Sequence, residues 1–79
     1  MIATNKDIDK YFLNRFNIYQ KEYNNAFIWA CKNWHKMLPR AQGKNAVSVA
    51  DQIAEACKIP YSASADIANS ISISRSITK

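Results

Sequence analysis

Apolar positions recur at helical spacing through the first half of this chain. At 100° per residue, Ile8, Phe12, Phe16, Tyr19, Tyr23, Ala26, Phe27, Ala30, Trp34, Met37 and Leu38 share one sector about 120° wide. Lys6, Lys10, Asn14, Asn17, Lys21, Asn24, Lys32 and His35 fall opposite. This predicts one long amphipathic helix over about 5–38, roughly 50 Å long at 1.5 Å per residue. Thr4 is placed as its N-cap, with Asp7 three residues on to complement the exposed N–H groups. A bend at Asn24-Asn25, or two helices hinged there, is the alternative, because asparagine is a poor helix former. Pro39 is predicted to end the element, since the residue before a proline is pushed out of the α region.

Residues 39–45, PRAQGKN, read as a loop around the chain's one glycine, Gly43. A second helix opens at Ser48 or Asn45 and runs to about Lys58, with Ala46, Val49, Ile53 and Cys57 on its apolar side and Asp51, Gln52, Glu55 and Lys58 toward water. Beyond Pro60 a third segment is expected to be capped by Ser62, with Ala63, Ile67 and Ile71 at helical spacing. From Ser70 onward Ser and Ile alternate, which is the two-residue period of a strand. A lone strand does not hold its shape in water, so residues 72–79 are expected to form a mobile Ile/Ser tail. The alternative is a segment that orders on the sheet edge of another protein. The expected fold class is all-α: a single helical domain over 1–79, with two shorter helices folded back on the long one. The long helix outruns two partners of roughly 15–20 Å each. Either it bends, or its surplus stripe packs against another chain, which puts a homodimer among the expectations.

Composition narrows the class of protein. With 79 residues, 48% of them hydrophobic and 22% charged, the chain is one globular domain with a thin core. The longest apolar run, Ala26 to Cys31, is far short of the roughly 20 residues that span a bilayer. No basic segment leads into an apolar stretch at the start, MIATNKDIDK, so no secretory leader is expected and the cytoplasm is the expected compartment. There Cys31 and Cys57 act as small apolar residues rather than a disulfide. Eleven Lys and Arg against six Asp and Glu give a net charge of +5, which favours acidic partners or nucleic acid.

Reactive chemistry is sparse. Nucleophilic catalysis needs a base beside the nucleophile, and the single histidine, His35, lies on the polar side four residues after Cys31 with no third group to orient it. Cys31, His35 and Cys57 are one ligand short of a structural zinc site. Asp51 and Glu55 share a helical face but read as solvated surface, and one glycine cannot build a phosphate loop. No enzyme, catalytic residue, metal or cofactor is expected.

Two surfaces remain as candidates for function. Lys10, Lys21 and Lys32 recur every eleven residues on the outer side of the long helix; Lys36, Arg40 and Lys44 extend the line. Tyr11, Ile18 and Trp29 lie beside it at similar angles, and Ile28 points into the basic side. Apolar anchors among cations suit a protein interface. This makes Tyr11, Lys21, Trp29, Lys32, Lys36, Arg40 and Lys44 the candidate contacts to a larger partner with an acidic or nucleic-acid-binding surface. The expected role is that of a non-enzymatic inhibitor or adaptor. Such small basic proteins are often encoded by mobile elements.

The second surface is residues 50–69, ADQIAEACKIPYSASADIAN, where Ile53-Ala54, Cys57, Ile59 and Ile67 resemble the helix-turn-helix of many bacterial repressors. Lys58 stands where that family usually has glycine, and Ser64 at a usually apolar position. The resemblance implies a DNA-binding regulator, with Arg40, Lys44, Lys58, Tyr61 and Ser62 as the residues toward DNA.

Overall fold

The computed structural model describes residues 5–77, and these form four α-helices: α1 (Asn5–Phe16), α2 (Gln20–Arg40), α3 (Val49–Cys57) and α4 (Tyr61–Ile77). The all-α expectation holds, but the single long helix is two, and the break lies at Asn17–Tyr19 rather than Asn24-Asn25. Asn17 takes a left-handed conformation, φ 61°, which asparagine tolerates better than most residues. Its N–H still reaches the Leu13 carbonyl, 2.9 Å, and Tyr19 then turns extended before α2 begins. Asn24 and Asn25 stay helical, exposed on the water side.

The break rotates everything that precedes it relative to α2. Ile18, placed outside the apolar stripe by uninterrupted helical geometry, is 5% exposed in the core, whereas Tyr19, placed inside it, is 52% exposed. Tyr19 offers α2 no side-chain cap. Instead Asp9 of α1 accepts from the Gln20 N–H, 3.3 Å, so the acid of one helix serves the N-terminus of the next. The expected cap at Thr4 lies outside the described residues.

Pro39 does not end α2, which runs one residue further, to Arg40. In the final turn a proline forfeits only one backbone bond, and the Ala41 N–H closes the helix onto Met37 and Leu38. The turn that follows contains Gly43 at φ +93°, a conformation that side chains other than glycine's rarely adopt. Ser48 then caps α3 as expected, accepting from the Asp51 N–H, 3.1 Å, and donating to the Asp51 carboxylate, 2.8 Å. Lys58 ends α3 in the left-handed conformation, φ 55°.

α4 starts at Tyr61, one residue before the expected cap at Ser62. Ser62 is inside the helix, and its first backbone bonds go to the Pro60 carbonyl from Ala63 and Ser64. The expected tail is corrected too: α4 continues to Ile77, and only 78 and 79 of the tail lie outside the described residues. Once a helix exists, each further residue adds a bond without a new nucleation cost. The Ser/Ile alternation conceals the four-residue spacing of Ala63, Ile67 and Ile71, all buried, and Arg75 lies over the Trp34 ring at 5.7 Å.

The core joins Ala26, Ala30, Trp34 and Met37 of α2 to Ile53, Ile59, Ala63, Ile67 and Ile71. At one end Phe12 and Phe16 of α1 meet Tyr23 at ring-centroid distances of 4.9 and 5.3 Å. Gln52 is a further correction. Its position in the helical pattern predicts a water-facing side chain, yet it is 4% exposed, its Nε2 donating to the Met37 carbonyl, 3.0 Å, and the Val47 carbonyl, 2.8 Å. One amide thereby ties the end of α2 and the following turn to α3. Ala46, expected on the apolar side, is exposed.

Candidate functional site

The buried stripe of α2 fixes what its other side presents. Taking Lys21 as the origin, helical geometry puts Lys32, Lys36 and Arg40 within about 100° of it, a band some 28 Å long. All four are exposed, and none forms an ion pair among the described residues. Ile28, 53% exposed, borders the band on one side; Trp29, half-buried against the core, lies within it, between the directions of Lys36 and Arg40. Lys44 is exposed in the turn after α2.

Trp29, Lys36 and Arg40 meet at a cleft between α2 and α3. Its volume is about 290 Å³, and Asn33, Met37, Gln52, Glu55 and Ala56 complete its lining. Asn33 donates from Nδ2 to the Trp29 carbonyl, 2.8 Å. The Gln52 Oε1 is buried and accepts no hydrogen bond among the described residues. Trp29 also lines a second cleft, with Glu22, Asn25, Ala26 and Cys57, so the indole stands between two concavities.

Tyr11 is not part of this group. It sits on α1, more than half exposed, its hydroxyl accepting from Arg15, 3.3 Å, and its ring edge-on to Phe12. The alignment of Tyr11 with Ile18 and Trp29 required an unbroken helix, and the turn at Asn17 removes it.

Helix-turn-helix connectivity is present over 49–77, with Ile53, Ile59 and Ile67 buried between α3 and α4. Lys58, Tyr61 and Ser62 are exposed around the turn. Arg40 lines the α2–α3 cleft beside Glu55 and Ala56. Ser64 is fully buried and donates to the Pro60 carbonyl, 3.1 Å, which accounts for a polar residue at an apolar position. Asp66 is engaged in packing: it accepts a 2.6 Å hydrogen bond from the Tyr23 hydroxyl and faces Arg15 at 3.9 Å. Burial first, and the Asp66 carboxylate second, hold the Tyr23 phenol well above its ordinary value.

Cys31 and Cys57 are free thiols on different clefts, Cys31 sharing its own with Phe27, Ile71, Ser74 and Arg75. Burial pushes the Cys57 thiol up, so it stays protonated at neutral pH. Among the described residues no three His, Cys, Asp or Glu side chains are placed to hold a metal ion, and no helix is long and apolar enough to cross a membrane.

No protein-family model, curated protein or solved structure matches the chain.

Sequence reasoning missed Gln52 and Glu55 as cleft residues because both read as water-facing positions of α3. A glutamine three residues after the helix's first position, flanked by Ile53, was the only available signal.

Proposed function

We propose that the protein is a non-enzymatic docking protein, an inhibitor or adaptor, that engages an acidic surface of a larger protein through the outer face of α2. The observation that carries this reading is the band of cations Lys21, Lys32, Lys36 and Arg40, which form no ion pair among the described residues, with Ile28 at its border and Trp29 within it. Cations that have no ion-pair partner among the described residues give up no such pair when a carboxylate surface approaches, and they speed encounter with it. Trp29, within the band, supplies the aromatic anchor that such interfaces favour. The acidic surface includes the case of a nucleic-acid-binding protein's regulatory face.

The test compares the intact chain with a variant carrying Lys21→Glu, Lys32→Glu, Lys36→Glu and Arg40→Glu. Both are used as bait in a cell lysate after circular dichroism has shown equal helicity. A partner retained by the parent and lost by the variant supports the reading. A partner held equally by both sinks it.

A second reading, a helix-turn-helix DNA regulator, is favoured by one feature, the left-handed turn at Lys58, which is the backbone conformation the family's glycine adopts. Arg40, Lys44, Lys58, Tyr61 and Ser62 would face the duplex. Anisotropy of a labelled duplex across salt concentration decides it, since phosphate contacts give a slope of about −0.9 per phosphate neutralised.

A further inference from the structure

We propose that the cleft between α2 and α3 is a socket for an acidic peptide segment, taking one carboxylate at Lys36 and Arg40 and one apolar side chain at Trp29. The inference rests on the docking reading above and specifies the chemistry of the partner's contact segment.

Trp29, Asn33, Lys36 and Arg40 follow one another at steps of four, three and four residues, so they form one wall along α2. Trp29 lies roughly 10 Å from Lys36 and 16 Å from Arg40 along the axis. A ligand filling the cleft therefore has its apolar and acidic groups on that spacing, which is the reach of a few residues of extended chain. Met37 and Ala56 supply apolar lining between the two ends.

The polar inventory selects a peptide over a nucleic acid. Besides the two cations, the lining carries both donors and acceptors: the Trp29 indole N–H and the second Asn33 amide N–H can donate. The acceptors are the Asn33 Oδ1, whose amide nitrogen is bonded to the Trp29 carbonyl, and the Glu55 carboxylate; the Gln52 Oε1 is buried out of reach of a ligand in the cleft. A peptide main chain brings both an N–H donor and a carbonyl acceptor at each residue, so it can answer both kinds of group on such a wall. A phosphodiester backbone brings only acceptors and a negative charge at each step, and it would meet Glu55 across the cleft. Glu55 also limits the ligand to one acid near the cations, since a second would face like charge.

The probe is a displayed library of random dodecapeptides panned on the immobilised full chain, followed by anisotropy of the enriched peptide. Enriched sequences are expected to pair one Asp or Glu with an apolar residue a few positions away. Lys36→Ala combined with Arg40→Ala, both exposed positions that leave the core intact, is expected to weaken the peptide about tenfold or more. Glu55→Gln is expected to admit peptides with a second acid. Failure to enrich, enrichment of peptides without an acid, or equal binding by the double variant overturns the socket. Displacement of the peptide by a short duplex at physiological salt overturns it as well and gives the cleft to nucleic acid. In the lysate experiment, a partner lost by the four-site charge reversal but kept by the Lys36/Arg40 alanine pair leaves the docking reading standing and removes the socket. A partner kept by both removes both.

Discussion

Two residues with ordinary side chains hold the left-handed turns that separate helices. Asn17 can partly offset the steric penalty, but Lys58 cannot, since nothing in a lysine side chain favours that region. Lys58→Gly is therefore expected to stabilise the fold by up to about 1 kcal/mol, and Asn17→Gly by clearly less. Urea unfolding of the two variants at equal slope checks both. Tyr23 gives a test with a pH signature. Its phenol titrates above the ordinary value near 10, through burial and then Asp66. The stabilisation this confers is complete below pH 10 and is lost as pH climbs beyond it, because the unfolded chain ionises first. Tyr23→Phe is expected to cost about 1 kcal/mol at pH 7 through the lost hydrogen bond. The gap to the parent should narrow in urea titrations above pH 10; a gap constant to pH 11 would contradict the raised titration of the buried phenol.

At the level of elements, the short turn between α2 and α3 depends on one buried amide. Gln52→Ala removes both donations, to Met37 and Val47, and leaves the Val47 carbonyl without that partner. The expected cost is about 1–3 kcal/mol, with faster hydrogen exchange at Val47, whose N–H bonds to the Arg40 carbonyl. Gln52→Glu tests the same clamp differently, since a carboxylate cannot donate to either carbonyl. This clamp also marks the limit of what the chain's pattern discloses. Helical period identified the core face of α2 correctly at Ala26, Ala30, Trp34 and Met37, and Ser48 announced α3. Period carries no information about a left-handed residue, however, so the break at Asn17 was invisible and Ile18 and Tyr19 exchanged places. Nor can polarity distinguish an exposed glutamine from one buried on two carbonyls. The Ser/Ile alternation misled for a related reason: in 70–77 a two-residue period contains the four-residue one, and only the neighbouring Trp34 and Ile67 decide between them. The cations of the candidate surface were legible because their helix was; the cleft they share with Glu55 was not, because it exists only once α3 has folded across.

The whole molecule measures 46 × 28 × 16 Å, with a radius of gyration of 13.6 Å. A typical globular domain of this length would have about 11.6 Å, so the helices form a slab rather than a ball. A slab has little interior, and its stability is divided unevenly. α1 is attached through the Phe12, Phe16 and Tyr23 rings, the Arg15–Asp66 pair and the Asp9 contact to α2, while α2, α3 and α4 share the aliphatic core. Local opening of α1 therefore exposes one aromatic cluster and leaves the rest paired. Native-state hydrogen exchange should show α1 amides opening below the global free energy, with the amides of Ala30, Ile53 and Ile67 exchanging only through complete unfolding. Phe16→Ala, deleting a side chain that is 5% exposed, is expected to cost about 3 kcal/mol. That is a large share of the roughly 4–12 kcal/mol available to a chain of this size. If α1 is the weaker unit, the variant lowers its protection by more than it lowers that of Ile53 and Ile67. Equal losses throughout would show that the four helices unfold as one, with the turn at Asn17 transmitting rather than separating the two parts.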